Sequence, residues 1–90
     1  MKTLVTNNAE EICFPNIGKV YQHYKGNKYK IVMIVFNSET DQLEPWVVYQ
    51  GLYTDPKLGD QPLFTRSVAA FMETIAMNGK TIKRFTLLSE

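Results

Sequence analysis

The 90-residue sequence is poor in the residues that most often build metal sites and disulfides. It contains one cysteine, Cys13, and one histidine, His23. A single thiol cannot close an internal disulfide, and a zinc site needs three or four Cys, His or carboxylate ligands around one ion. The five glycines are isolated from one another, so no glycine-rich phosphate loop is present. We therefore expect no disulfide framework, no bound metal and no cofactor.

Strong charge and long apolar runs are also lacking. The formal net charge is +1, whereas strong attraction to nucleic acid or to an anionic membrane needs a larger excess or a clear basic patch. No segment approaches the roughly 18 apolar residues of a membrane helix. The start of the chain has no apolar run before Asn7 that would indicate a secretory signal. Together with the single thiol, these features favour a cytoplasmic location.

What the sequence does contain is a series of short β-type runs. Residues 19–24 and 28–36 are rich in Tyr, Val and Ile, and the Lys25-Gly26-Asn27 turn between them predicts an antiparallel hairpin. Residues 31–36 are apolar on both faces, which indicates a strand covered on both sides or bent round a closed sheet. A third strand is expected at 46–49.

The second half of the chain adds turns, short strands and one helix. The interval 51–62 is predicted to be a long loop, followed by a strand at 63–66. Ser67 is placed to cap a short helix that turns Phe71 and Met72 inward. Asn78-Gly79 predicts a hairpin between strands near 74–77 and 81–87. The fold class is therefore mainly β: a small SH3-like barrel of about five antiparallel strands with one short helix.

The chain divides into a lead-in segment, 1–17, and a barrel domain, 18–90. The apolar residues of the lead-in do not repeat at a regular spacing. A helical turn at 8–14 and a short edge strand beginning at Leu4 are both compatible with it. It would cover an open edge of the barrel or pair with a second copy. The oligomeric state stays open.

Four stretches resemble a known family when they are taken in order. They are Tyr-Gln-His-Tyr-Lys-Gly-Asn at 21–27, Ser-Glu-Thr at 38–40, Val-Val-Tyr at 47–49 with Leu-Tyr at 52–53, and Phe-Met-Glu at 71–73 with Asn-Gly-Lys at 78–80. Together they are similar to the domain-of-unknown-function family 1653 over about residues 18–87. The resemblance implies a small SH3-like barrel and brings no established activity with it.

The sequence also departs from the pattern of that family. Asn37 stands where the family usually has a histidine, Gln22 replaces an arginine, and Arg66 is kept while the proline after it is lost. The loop 54–62 is longer than the resemblance implies. Chemistry that needs two histidines is therefore not expected in this chain.

The residues that remain as functional candidates are aromatic and basic. On a strand, Tyr21 and His23 share one face, and Tyr49 and Arg66 complete a candidate quartet for ligand binding. Lys25 and Trp46 are further candidates near the same groove. The alternative is that the rings fill cross-strand positions, that His23 is half-buried against a backbone carbonyl, and that Arg66 pairs with Glu39.

Three functions are compatible with these residues. The favoured interpretation is a non-enzymatic module that recognises a peptide, a protein surface or a small polar ligand through an aromatic–basic groove. The second is a nucleic-acid-associated barrel with a basic face, formed by Lys25, Lys28, Lys30, Lys80, Lys83 and Arg84. The third is a small His23-dependent hydrolase with Cys13 as nucleophile.

Overall fold

A computed structural model of the chain describes residues 4–5, 11–12, 14–39 and 41–88. None of the helices in these ranges has the length and apolar character needed to cross a membrane. The elements are β1 (Leu4–Val5), β2 (Glu11–Ile12), β3 (Val20–His23), β4 (Lys28–Asn37), β5 (Glu44–Gly51), β6 (Thr54–Asp55), β7 (Gly59–Asp60), β8 (Leu63–Ser67), α1 (Val68–Phe71), β9 (Thr74–Met77), β10 (Lys80–Lys83) and β11 (Phe85–Leu87).

A five-stranded antiparallel sheet with the order β11-β3-β4-β5-β8 forms the centre of the molecule. The hairpins β1–β2, β6–β7 and β9–β10 form separate two-stranded sheets. The mainly β class and a five-stranded antiparallel sheet are therefore confirmed, and α1 is the one short helix among the described residues. The sheet is not closed into a barrel, because its outermost strands, β8 and β11, do not pair with each other in this order.

The sheet is nevertheless strongly curled. In a flat sheet, β8 and β11 would lie four strand spacings apart, about 19 Å. The guanidinium carbon of Arg66 on β8 lies only 5.8 Å from the ring centre of Phe85 on β11. The curl therefore brings the two unpaired edges towards each other, and we call the region between them the seam.

The concave face of this sheet carries the core, and most of the core side chains are aromatic. Alternate positions on the strands point to this face, and α1 covers it with Val68 and Phe71, which are 1% and 0% exposed. Phe71 stacks on Phe85 with ring centres 4.0 Å apart. The buried core residues are Tyr21, Tyr29, Ile31, Val47, Tyr49, Val68, Phe71 and Phe85.

Local turn and cap signals in the sequence correspond closely to the structure. Gly26, with a φ of 114°, lies in the predicted turn between β3 and β4. The Ser67 side chain accepts a hydrogen bond from Ala70 N, so it caps α1 as expected. Asn78 and Gly79 both have positive φ, at 53° and 76°, which is the backbone that a tight hairpin requires.

Two predictions about burial were wrong. Residues 31–36 are not covered on both sides: Met33 and Phe36 are 48% and 53% exposed. A β-bulge between Ile31 and Met33 and the strand alternation place Met33 on the face opposite the core. Met72 does not turn inward either; it is 39% exposed, because α1 ends at Phe71 and Met72 is its C-cap.

Two segments without clear sequence patterns also have defined structure. The predicted loop 51–62 contains the β6–β7 hairpin, in which Asp55 Oδ1 accepts hydrogen bonds from the N–H groups of Lys57 and Leu58. In the lead-in, β1 pairs with β2. The helical turn at 8–14 was therefore wrong at Glu11–Ile12, and the rest of that span before Phe14 lies outside the described residues.

Gly51 has no room for a side chain, because the ring of Tyr53 lies against it. A Cβ at Gly51 would lie 2.8 Å from Tyr53 Cε2. The Tyr53 ring is held in this position by a 3.0 Å hydrogen bond between its hydroxyl and the Tyr29 hydroxyl. We expect Gly51→Ala to lower the free energy of unfolding, measured in urea, by about 1–3 kcal/mol. In a Tyr53→Ala background the same methyl group meets no ring and should cost much less; an equal loss there would contradict the clash.

Candidate functional site

The seam between β8 and β11 is lined by cationic and aromatic side chains. Arg66 reaches from β8 towards the ring of Phe85, and the His23 ring lies 4.9 Å from the same ring in an edge-on arrangement. His23 and Phe85 are opposite each other in the β3–β11 register, and Arg84 directly precedes Phe85. We call His23, Arg66 and Arg84 the basic cluster.

His23 is the electrostatic centre of the basic cluster. Its Nδ1 accepts a hydrogen bond from Lys25 N at 3.1 Å, and its ring lies 4.5 Å from the ring of Tyr24. Partial burial lowers the pKa of His23 first, and the charges of Arg66, Arg84 and Lys25 lower it further. His23 is therefore neutral at pH 7, and its remaining ring nitrogen, Nε2, carries the proton.

Arg66 is held by a tyrosine from the core. Its Nε donates a 2.9 Å hydrogen bond to the Tyr49 hydroxyl. Burial raises the pKa of Tyr49, while the hydrogen bond and charge of Arg66 act in the opposite direction. The hydroxyl therefore stays protonated and neutral, and it orients the guanidinium without cancelling its charge. The predicted alternative, a pair between Arg66 and Glu39, is not found in the described part of the chain, where Glu39 lies beside Trp46 on the other face of the sheet.

Arg84 is only partly satisfied within the described part of the chain. Its Nη2 lies 3.2 Å from Glu73 Oε1 in an ion pair with an exposed carboxylate. The Nε of Arg84 is buried and has no hydrogen-bond partner among the described residues. A buried N–H without a partner is costly, so Arg84 has hydrogen-bonding capacity that this arrangement does not use.

The structure brings some of the predicted site residues together and separates others. His23, Arg66 and the Tyr49 hydroxyl meet at the seam, with Lys25 on the adjoining turn. Tyr21 and Tyr49 are 6% and 5% exposed and belong to the core, where their rings pack against Phe71. Whether any of these residues binds a ligand stays a prediction.

Trp46 lies on the other face of the sheet, because it alternates with the buried Val47. Its Nε1 donates a 3.1 Å hydrogen bond to Glu44 Oε1. Together with Val35 and Thr65 it lines a shallow cleft of about 290 Å³. Trp46 is therefore not part of the basic cluster.

Sequence reasoning did not place Arg84 in this site; Arg84 appeared only in the set of cations considered for nucleic acid. The signal for it was weak, since Arg84 stands between Lys83 and Phe85 as one more residue of an alternating strand. In the structure, the predicted strand is interrupted at Arg84, which lies between the end of β10 and the start of β11. Its N–H bonds to the carbonyl of Glu73 and its carbonyl to the N–H of Tyr24, which fixes it beside His23.

The other chemical hypotheses gain no support from these residues. Among the described residues, no three His, Cys, Asp or Glu side chains are grouped so that they could hold a metal ion. Lys28 and Lys30 lie on the sheet face opposite His23 and Arg66, so the six cations considered for nucleic acid do not share one face. Cys13, the nucleophile of the hydrolase hypothesis, lies outside the described residues.

The curled sheet with its helix-covered aromatic core defines a small mainly β domain with a cationic seam. A family model described as "Protein of unknown function (DUF1653)" matches residues 19–87, and the chain belongs to this family. It is similar to a crystal structure of a DUF1653 protein from Bordetella bronchiseptica, with 33% identity and a TM-score of 0.67, over 81% of this chain and 87% of that one. No curated protein matches the sequence.

Proposed function

We propose that this protein is a cytoplasmic, non-enzymatic binding module. In this proposal, the basic cluster captures a compact anionic group, a carboxylate or a phosphate, carried by a peptide, a protein surface or a small polar ligand. The observation that supports it is that Arg66 and His23 both contact the ring of Phe85, which directly follows Arg84 in the chain. The charges of Arg66, Arg84 and Lys25 therefore act on one neutral imidazole. Like charges held together repel each other, and an anion placed between them relieves that repulsion.

The hydrogen-bonding groups of the basic cluster suit an oxyanion. Arginine side chains bind carboxylate and phosphate oxygens through planar, paired N–H groups. Arg66 is already oriented through its Nε by Tyr49, which leaves its terminal nitrogens to act as the donors. His23 Nε2–H is a further donor, because Nδ1 is the acceptor from Lys25. All of these groups donate, as an anion requires.

The surroundings of His23 favour binding over catalysis. A hydrolase would need a nucleophile beside His23 and a third group that orients it. Among the residues that the structure describes, the rings that contact His23 are those of Tyr24 and Phe85, and its Nδ1 is engaged by a backbone N–H. In addition, the pKa of His23 is lowered by nearby cations and no carboxylate orients the ring within the described residues.

Sulfate binding should depend on the protonation of His23. An anion in the basic cluster offsets the cationic charges that lower the pKa of His23, so the bound state takes up a proton more readily. We expect the affinity for sulfate to rise as the pH falls from about 7.5 to about 5.5, by about tenfold for each pKa unit that the anion restores. Sulfate is a suitable probe because its own charge does not change in this range.

The measurement is an NMR titration at low ionic strength that follows the side-chain signals of Arg66 and Arg84. His23→Gln is the control: it keeps a neutral donor, and it should bind sulfate with little pH dependence. Equal pH dependence in wild type and His23→Gln would contradict the role of His23. No shift at either arginine would contradict the proposed site.

A further inference from the structure

The face of the sheet opposite the core, which we call the outer face, is apolar at its centre and exposed. Strand alternation and register place Met33, Val35, Trp46, Val48 and Leu63 on it. Met33, Val35 and Leu63 are 48%, 36% and 62% exposed. Apolar side chains that are adjacent on paired strands and remain exposed are typical of an interaction surface.

Charged residues flank this apolar centre and differ in sign at its two ends. At one end of the β4–β5 pair, Lys28 and Lys30 point to the outer face, and Lys30 is opposite Gln50. At the other end, Glu44 is opposite Asn37, and Glu39 lines the cleft beside Trp46. The centre of this strip is the pair Met33 and Val48.

We infer that the outer face binds the outer face of a second copy of this chain. Two-fold symmetry about an axis that crosses the strands near Met33 and Val48 would place the Lys30 end of one copy over the Glu44 end of the other. Symmetry about an axis along the strands would instead place lysines over lysines. Opposite charges therefore select the first arrangement and disfavour the second.

The chemistry of the outer face suits such a pairing. Two sheets that pack face to face are separated by about 10 Å, which is the space that interdigitating Met, Val and Trp side chains fill. Trp46 is the largest of them, and tryptophan is enriched among the residues that dominate binding energy. His23 and Arg66 lie on the opposite face, so the dimer and the proposed anion site are independent of each other.

Charge reversal tests the arrangement directly. We expect the wild-type protein to dimerise reversibly in sedimentation equilibrium between low and high micromolar concentrations. Lys30→Glu places two acidic ends together, and Glu44→Lys places two basic ends together. Each should weaken the dimer at least tenfold, whereas Lys57→Glu, a reversal in the β6–β7 turn, should not.

Rescue separates the symmetric pairing from a general loss of association. An equimolar mixture of Lys30→Glu and Glu44→Lys should form a heterodimer, and the double variant Lys30→Glu/Glu44→Lys should dimerise with itself. Val35→Asp, which places a charge at the apolar centre, should be monomeric in every combination. Circular dichroism confirms that each variant is folded.

Three outcomes would overturn the proposal. These are a monomeric wild-type protein over the whole concentration range, the failure of both rescue combinations, and a Val35→Asp protein that dimerises as tightly as wild type. A reductant in every sample prevents a covalent dimer linked by an intermolecular disulfide between the two copies of Cys13.

Discussion

Phe71→Ala should lower the free energy of unfolding by several kcal/mol. The Phe71 side chain is 0% exposed. Its ring stacks on that of Phe85 with the two ring centres 4.0 Å apart, and its ring centre lies 5.6 Å from that of Tyr21 and 5.3 Å from that of Tyr49. Truncating a fully buried phenylalanine costs about 3–5 kcal/mol, through lost burial and the cavity left behind. Small domains have only about 5–15 kcal/mol of stability in total, so this single change removes a large part of it.

Urea denaturation followed by circular dichroism measures this effect, and the next residue provides a control. Met72 is 39% exposed and belongs to the C-cap of α1. Met72→Ala should therefore change the free energy of unfolding by less than about 1 kcal/mol. Equal effects of the two substitutions would show that α1 does not close the core through Phe71.

Arg66→Gln should greatly weaken the binding of sulfate to the basic cluster. A hydrogen bond to a charged group contributes about 1.5–3 kcal/mol, and removal of this guanidinium should weaken sulfate binding about 10- to 100-fold. Stability should change little, because Gln can still donate to Tyr49 and the repulsion between Arg66 and Arg84 is relieved. Calorimetric titration with sulfate at low ionic strength gives the dissociation constants.

The control for Arg66→Gln removes the same charge elsewhere. Lys57 lies in the β6–β7 turn and is not among the cations that lower the pKa of His23. Lys57→Gln should leave sulfate affinity within about twofold of wild type, since distant exposed charges are screened by salt. A comparable loss in both variants would mean that sulfate responds to net charge and not to the basic cluster.

Features encoded locally could be predicted from the sequence. The turn at Gly26, the cap at Ser67 and the hairpin at Asn78-Gly79 each depend on residues close together in the chain and on backbone angles that few residue types adopt. Alternation in β3 likewise put Tyr21 and His23 on one face. Such signals need no knowledge of what packs against them.

Features set by contacts between distant strands could not be predicted. An apolar run such as 31–36 does not reveal which of its faces will be covered, because that depends on where α1 is placed. The failure of β8 and β11 to pair is set by the curl of all five strands. Arg84 joins His23 only through hydrogen bonds to Glu73 and Tyr24, and neither bond leaves a pattern in the sequence.

The separation of Trp46 from the tyrosine core has a practical consequence for spectroscopy. The chain has a single tryptophan, and it lies beside Glu44 on the outer face of the sheet. Its fluorescence therefore reports events at that surface, whereas the ultraviolet dichroism of the packed tyrosines reports the integrity of the interior. One sample thus carries two intrinsic optical probes, and assembly can be followed separately from folding without any attached label.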